Sequence, residues 1–295
     1  MLIIGENINI MSKTIGAAMK ERNPKPIQEL AERLVAAGAD YLDLNIGPAR
    51  KGGAELMEFV VKTVQEVVNV PLFLDTTNIE AIEAGLKVYD DSYGRPIINS
   101  IMARPDRMEA LIPMAQKYGA GFVALLYGPE GLPRDENERG VLAAELMAAA
   151  EAAGCEPEYV FIDPVVIPVT SQQIELQGCT NFFAMLSDIA PGYSSTCGLS
   201  NVSNGAPNKL RPILNQTYLM ILRKYGLKSA IADPLDEDLM KIARDEMQDI
   251  EQLVWSIVDG ETVDPQSLSE TELKYYKTAR VLLNQALYSH SWLEL

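Results

Sequence analysis

Histidine is almost absent from this chain: one residue in 295, His290, close to the C-terminal end. Histidine is the side chain whose ordinary pKa lies near neutrality and the commonest metal ligand. A site organised around a histidine base or histidine-held metal is therefore not expected. Cysteine is nearly as scarce. Cys155, Cys179 and Cys197 are odd in number, widely spaced and without a C-x-x-C pair, a pattern of reduced thiols in a cytoplasmic protein, with no zinc or other metal site. No run of 18 or more apolar residues occurs, and the apolar segment after Met1 has no basic region before it. Neither a membrane span nor a signal peptide is expected. Positive charge is also short, with 25 Lys and Arg against 41 Asp and Glu and a net charge of −16. Binding a phosphate backbone needs a basic surface that releases counterions, which argues against nucleic acid as a partner. A soluble enzyme, or a protein docking on a basic partner face, fits this charge.

What is present is alternation. With 47% hydrophobic and 22% charged residues, the chain has an ordinary globular composition, and short apolar runs take turns with amphipathic ones. "LIIG" (2–5) precedes the helical pattern 26–39, "YLDLN" (41–45) precedes 54–68, and "PLFLD" (71–75) precedes 80–89. "PIINS" (96–100) leads to 107–119, "FVALLY" (122–127) to 139–154, and "YVFID" (159–163) to 181–190. "TCGLSN" (196–201) leads to 212–226 and "SAIAD" (229–233) to 237–260. Strands of 4 to 8 apolar residues and helices of ten or more are told apart by length and period. Gly38, Gly119, Gly154 and Gly226 stand where helices should stop. Eight strand-helix units over roughly 260 residues are the length of a (β/α)8 TIM barrel. Alternation alone also permits a doubly wound open sheet, but no G-x-G-x-x-G follows the first strand.

The chain reads as one domain, 1–295, with the barrel over about 1–260 and an additional C-terminal helical segment over about 269–289. That segment opens on a capping box, Ser269 to Glu272, and carries Leu273, Tyr276, Ala279, Leu283 and Leu287 at helical spacing. It suits covering a barrel end or packing on a second subunit. A further capping box, Thr77 to Glu80, opens the helix after the third strand.

In parallel barrels the chemistry comes from the C-terminal strand ends and the loops after them. Here those ends are Glu6 with Asn7 and Asn9, Asp43 with Asn45, Asp75, Asn99, Tyr127, Asp163, Asn201 and Asp233. Seven of the eight carry a carboxylate or carboxamide, whereas turn propensity would supply Gly, Ser and Pro as readily. No lysine sits at a strand end, which weakens a Schiff-base mechanism. An Asp/Asn floor suits a neutral ligand rich in paired N–H donors and ring-nitrogen acceptors, of which a pterin is an example.

"LIIGENIN" (2–9), "LDLNIGPA" (42–49), "LDTTNIEAIEAGLK" (74–87), "IINS" (97–100), "FIDPVVIP" (161–168), "GLSNVSNG" (198–205) and "AIADP" (230–234) occur in that order. Together they resemble the pterin-binding barrel family, and within it the methyltetrahydrofolate:corrinoid protein methyltransferases. The resemblance implies a cytoplasmic homodimer that binds tetrahydrofolate or methyltetrahydrofolate. Asp75, Asn99 and Asp163 would hold the pterin ring, and Asn201 would stand near N5. Asp75 and Asn201 would serve the transfer itself, with Glu6, Asp43, Asn45 and Asp233 completing the pocket. The methyl group moves in that family between N5 and the cobalt of a corrinoid, or cobalamin, on a separate protein. This chain has no Asp-x-His-x-x-Gly run to ligate cobalt, so the resemblance places the corrinoid on a partner docked over the barrel mouth.

A tertiary amine leaves poorly, so N5 needs a proton or strong hydrogen bond as its methyl departs. Asn201 can orient N5 but supplies no titrating proton, and the sequence does not say which group does. Two departures from the resemblance stand out. Asn7 occupies the place of the usual Arg, and the stretch 237–277 is longer than in that branch. The rival within the fold is dihydropteroate synthase, whose N-x-T-P-D-S-F stretch reads "NINIMSK" here and whose late Lys- and Arg-bearing motifs are not visible. A pterin-binding subunit without turnover is the remaining alternative. Arg50 and Lys51 in "ARKGGAE" suit an anionic glutamate tail, as do Arg104 and Arg211; a plain loop into a helix accounts for the stretch equally well.

Overall fold

Each apolar run becomes a parallel strand with both faces covered, and each amphipathic stretch a helix on the outside. The computed structural model describes residues 1–294. Along the chain come β1 Leu2–Asn9, α1 Lys13–Glu21, α2 Lys25–Ala36, β2 Tyr41–Asn45, α3 Gly53–Gln65, β3 Leu72–Asp75 and α4 Ile79–Val88. There follow β4 Ile97–Met102, α5 Pro105–Tyr118, β5 Gly121–Leu125, α6 Glu136–Ala152, β6 Val160–Asp163, α7 Val169–Ile189 and β7 Ser194–Ser195. The chain continues through α8 Arg211–Lys224, β8 Ser229–Ala232, α9 Glu237–Ala243, α10 Gln248–Val258 and α11 Glu270–Leu282.

The sheet runs β7-β6-β5-β4-β3-β2-β1-β8. Because β1 pairs in parallel with both β2 and β8, the sheet curls into a barrel, which excludes the open doubly wound alternative. The seam between β7 and β8 is narrow: Ile231 N donates to Cys197 O at 2.9 Å and Ser229 Oγ to Ser195 O at 2.8 Å. The result is a nearly closed (β/α)8 barrel.

Side chains alternate across a strand with a period of two, and that fixes the interior. Ile4, Phe73, Ile97, Val123, Phe161 and Ile231, with Tyr41 packed on them, form an apolar plug inside the barrel. Phe73 meets Tyr41 at 5.5 Å and Phe161 at 5.6 Å between ring centres, both edge to face. Two residues further along the same strands stand Glu6, Asp75, Asn99, Leu125, Asp163 and Asp233, with Asp43 two beyond Tyr41. The plug is thus a floor, and the next layer toward the strand C-termini is polar.

Several local expectations need correction. Residues 13–21 form a helix, α1, capped by Ser12, before the one expected at 26–39. The cap of α4 is Asn78, not Thr77, because the Asn78 carboxamide oxygen accepts from Glu80 N at 3.0 Å and Ala81 N at 3.2 Å. The seventh strand is two residues long; Asn201 lies beyond it, in a single-turn helix over Leu199–Ser203. Helix α7 starts at Val169, twelve residues before the expected 181, with a kink at Gln172. The stretch 237–260 is two helices, broken where Asp245 takes φ 64°. The capping box of α11 forms as expected, but the helix stops at Leu282. Its buried face is Tyr275, Thr278, Ala279, Val281 and Leu282, and Leu287 is 84% exposed. It covers the flank of the barrel and not its end, with Tyr275 Oη donating to Gln216 of α8 at 2.8 Å. Among the described residues no helix is long and apolar enough to cross a membrane.

Candidate active site at the barrel mouth

Cross-strand register sets Asn45, Asp75 and Asn99 side by side on β2, β3 and β4. Two bulges aim further groups inward. In β1, Gly5 to Ile8 spans the same ladder as Leu42 to Leu44, so Glu6 and Asn7 carry one residue too many. In β4, Ile98 to Ile101 faces Phe122 to Ala124, which places the extra residue at Asn99 and Ser100. Bulges of this kind re-aim side chains beside binding sites.

The polar layer is closely wired. Asn45 Nδ2 donates to Asp75 Oδ2, Asn99 Nδ2 to Asp43 Oδ1 at 2.9 Å, and Asn7 Nδ2 to Asp233 Oδ1 at 2.9 Å. Ser200 Oγ donates to Glu6 Oε1. Asp163 Oδ1 accepts from Val165 N at 2.8 Å. Eight of the residues singled out in sequence, Glu6, Asn7, Asp43, Asn45, Asp75, Asn99, Asp163 and Asp233, therefore share one mouth. Asn201 is exposed at its edge, its Oδ1 accepting from Asn204 Nδ2 at 3.2 Å. Asn9 instead makes a turn, accepting from Met11 N at 2.9 Å. Arg104 pairs outward with Asp106 at 3.2 Å, Tyr127 is exposed beyond β5, and Arg50 and Lys51 are exposed.

So many acids in so little water hold their protons. Burial raises Glu6 to about 7, with Asp233 adding to the rise and Ser200 and Arg211 opposing it. Burial raises Asp75 to about 7 against hydrogen bonds from Asn45 and Asp43. Asp43 is raised by burial and by the negative charges of Asp75 and Glu6, so it is the protonated partner of that pair. Asp163 reaches about 7 through burial, held back by the Val165 and Gly198 N–H groups and by Arg139. At neutral pH the mouth therefore offers carboxyls that donate as well as accept.

These raised acids make stability depend on pH. An acid whose pKa is higher folded than unfolded binds more protons in the folded state, so its contribution is greatest below the unfolded value near 4 and is lost as pH rises through about 7. The ligand-free protein should melt at a lower temperature at about pH 8 than at about pH 5.5. Asp163→Asn, which cannot ionise, should flatten that slope. A melting temperature that rises over the interval, or an unchanged slope in the variant, contradicts the assignment.

Three parts of the site lie outside the set of strand-end residues. Arg139 of α6 is fully buried, donating Nε to Pro164 O at 2.9 Å and Nη1 to Asp135 O at 3.0 Å. A signal for it exists in the sequence: Arg139, Ala143, Leu146 and Ala150 form the buried stripe of α6 at helical spacing. Gly178 lets α7 pass close by, since a Cβ there would come within 3.1 Å of Arg139 Nη1. Ser200 figures in the sequence only within the "GLSNVSNG" stretch. Arg211, a candidate for an anionic tail, instead pins the loop beside Asn201, with Nε on Ser203 Oγ at 3.1 Å and Nη2 on Ser200 O at 3.4 Å. Among the described residues no group of three or more His, Cys, Asp or Glu is arranged to hold a metal ion.

A family model described as pterin binding enzyme matches residues 5–232. The chain is 26% identical over 242 residues to a methylcorrinoid:tetrahydrofolate methyltransferase of Eubacterium limosum, covering 81% of this chain and 88% of that one. It is 27% identical over 242 residues to methionine synthase of Mycobacterium tuberculosis, covering 78% of this chain but only 20% of that longer protein. Among solved structures, dihydropteroate synthase of Xanthomonas albilineans in complex with 7,8-dihydropteroate superposes with a TM-score of 0.61 at 17% identity, over 88% of this chain and 94% of that one. Dihydropteroate synthase of Thermus thermophilus gives a TM-score of 0.59 at 20% identity, over 83% and 93%. At these identities the structural likeness speaks to the fold alone.

Proposed function

The chain belongs to the pterin-binding enzyme family, and on that premise we propose that it moves a methyl group between N5 of methyltetrahydrofolate and the cobalt of a corrinoid carried by a separate protein. The observation that carries the reading is the polar layer itself. Carboxyls and carboxamides from β1, β2, β3, β4, β6 and β8 converge over an apolar floor, with the Asn201 loop at one edge. Likeness to a methylcorrinoid:tetrahydrofolate methyltransferase over 88% of its length favours methyl transfer over condensation.

In this reading the flat ring lies on the floor with its amino and ring N–H groups toward Asp75 and Asp163. Asn99 donates and accepts beside them, and Asp43 and Asn45 hold these partners in place. Asp43 accepts from Asn99, and Asn45 donates to Asp75. Asn201 stands at N5. The N5–methyl bond breaks with its electron pair left on nitrogen, which takes up a proton, while the methyl group passes to the reduced cobalt of the docked partner. A homodimer belongs to the same reading, and sedimentation would test it.

Ligand N–H groups favour ionised acceptors, so binding competes with the protons that Asp75 and Asp163 hold. Affinity for methyltetrahydrofolate should weaken as pH falls below about 7, the opposite trend to ligand-free stability. Asp75→Ala and Asp163→Ala should each cost about 2 to 3 kcal/mol of binding, roughly 30- to 150-fold in Kd, by removing a buried charge-assisted hydrogen bond. Calorimetry checks both, and an unchanged Kd in a folded variant removes that residue from the site. Incubation with p-aminobenzoate and a pterin pyrophosphate separates the rival: formation of dihydropteroate would establish the synthase reading instead. Tight folate binding with no methyl exchange would mark a subunit without turnover.

A further inference from the structure

We propose that Glu6 is the group that supplies the proton to the departing nitrogen, passing it through the hydroxyl of Ser200. The inference rests on the methyl-transfer reading above and answers what that reading leaves open, because Asn201 has no proton to give.

Geometry selects Glu6 from the acids of the mouth. Asp163 is engaged as an acceptor by the N–H groups of Val165 and Gly198. Asp75 is tied to Asn45 and lies against the protonated Asp43, which in turn accepts from Asn99. Asp233 accepts from Asn7 and, at 2.9 Å, from Leu235 N. Glu6 has one partner among the described residues, the Ser200 hydroxyl, and Ser200 directly precedes Asn201. A serine hydroxyl can take a proton on one side as it gives one on the other. The loop that carries it is braced by Arg211, which donates to both the Ser200 carbonyl and the Ser203 hydroxyl.

Burial, and after it the charge of Asp233 at the end of β8, keeps a proton on Glu6. Asp43, itself protonated, faces it from β2, with Asp75 behind Asp43. The buried thiol of Cys197 lies on the β7 side. Arg211, at the start of α8, is the one cation with an influence on it, and it is weaker than burial and Asp233. Asn7 is neutral: it fixes Asp233 beside Glu6 without cancelling its charge.

The proposed step balances. The N5–methyl bond breaks and its electron pair stays on N5. The Ser200 hydroxyl, which points its proton at Glu6 Oε1 in the ligand-free protein, turns it toward N5 and accepts from the protonated Glu6 carboxyl. The Ser200 proton then moves to N5 as the Glu6 proton moves to Ser200 Oγ. The new bond to the methyl carbon takes its pair from the reduced, cob(I)-type corrinoid, and Glu6 is left ionised until solvent returns the proton.

The test is single-turnover methyl transfer from saturating methyltetrahydrofolate to free cob(I)alamin across about pH 5.5 to 8.5. Wild type should slow as pH rises through about 7, where Glu6 loses its proton. Glu6→Gln should lose about 10²-fold in rate and its pH dependence, with methyltetrahydrofolate Kd within about threefold of wild type. Ser200→Ala should show a comparable loss, and Glu6→Asp should restore part of the rate with a displaced profile. Wild-type rate and profile in Glu6→Gln overturn the assignment while leaving methyl transfer standing. If wild type itself transfers nothing, the methyl-transfer reading falls and takes this step with it. A carboxyl titration of the ligand-free protein, wild type against Glu6→Gln by carbon NMR, gives a readout without turnover. It should show one acid near neutrality lost in the variant, and a Glu6 signal already ionised at about pH 5 would overturn the proposal.

Discussion

Asn201→Ala is expected to lower the rate of methyl transfer by about 10²- to 10³-fold at saturating methyltetrahydrofolate, the usual loss for one preorganised donor that strengthens toward the transition state. Its effect on Kd should be far smaller. Asn201 sits on the single-turn helix after β7, exposed at the rim and not in the buried polar layer. Its backbone N–H donates to Gly198 O at 3.2 Å, and Arg211 braces the loop around it, so the carboxamide is positioned before substrate arrives. An interaction that grows as charge builds on N5 appears in the chemical step and not in ground-state binding. Single-turnover transfer isolates that step. A variant that transfers at the wild-type rate once saturated would show Asn201 to be a ring-holding residue, and one that loses only affinity would say the same.

Arg139→Ala is expected to cost about 2 to 5 kcal/mol of folding stability, the range for emptying the site of a large buried side chain and stranding a hydrogen-bond partner. The guanidinium is fully buried between α6 and the end of β6, and it satisfies Pro164 O and Asp135 O. Truncation leaves the Pro164 carbonyl unmet, while Asp135 O keeps the backbone N–H of residue 139, and it opens a cavity beneath Asp163. It also removes the cation that opposes protonation of Asp163, so methyltetrahydrofolate should bind more weakly even where the variant folds. Urea unfolding measures the first effect and calorimetry the second. A midpoint equal to wild type would mean that the loop after β6 holds its shape without this arginine.

The barrel is legible because its strands obey the simplest rule in the sequence. Runs such as "LFLD" and "VFID" are apolar on both faces and end in an acid, and period-two alternation then puts Phe73 and Phe161 in the plug and Asp75 and Asp163 above it. Asn45, Asp75 and Asn99 can be grouped from strand ends alone because register lays them side by side. Other features lie outside that rule. The bulges that aim Glu6 and Asn99 are invisible to periodicity, since one extra residue leaves the apolar pattern intact on either side. The seventh strand is expected in the wrong place because "TCGLSN" has the apolar content of a strand, while the paired residues are Ser194 and Ser195 just before it and the chain turns at Gly198 into the single-turn helix. Helix α11 is only partly legible: Ala279 is buried and Tyr276 and Leu283 pack against the core as their spacing suggests, but Asn284 adopts φ 57° just past the helix end, so Leu287 never joins the stripe. Arg139 is easily passed over because an arginine in an alanine-rich helix reads as a solvated charge, although its spacing from Ala143 and Leu146 marks the buried side.

The central claim, that this mouth presents N5 of a methylated folate to a corrinoid, meets its most direct test in one reaction. Purified protein is mixed anaerobically with methyltetrahydrofolate and cob(I)alamin, and the cobalt spectrum is followed while tetrahydrofolate is quantified. The account predicts one tetrahydrofolate formed for each cob(I)alamin converted to methylcobalamin, with a rate at saturating methyltetrahydrofolate that falls as pH rises through about 7 as Glu6 ionises. Binding of methyltetrahydrofolate with no change in the cobalt spectrum at any pH, together with dihydropteroate formation from p-aminobenzoate and a pterin pyrophosphate, would contradict it.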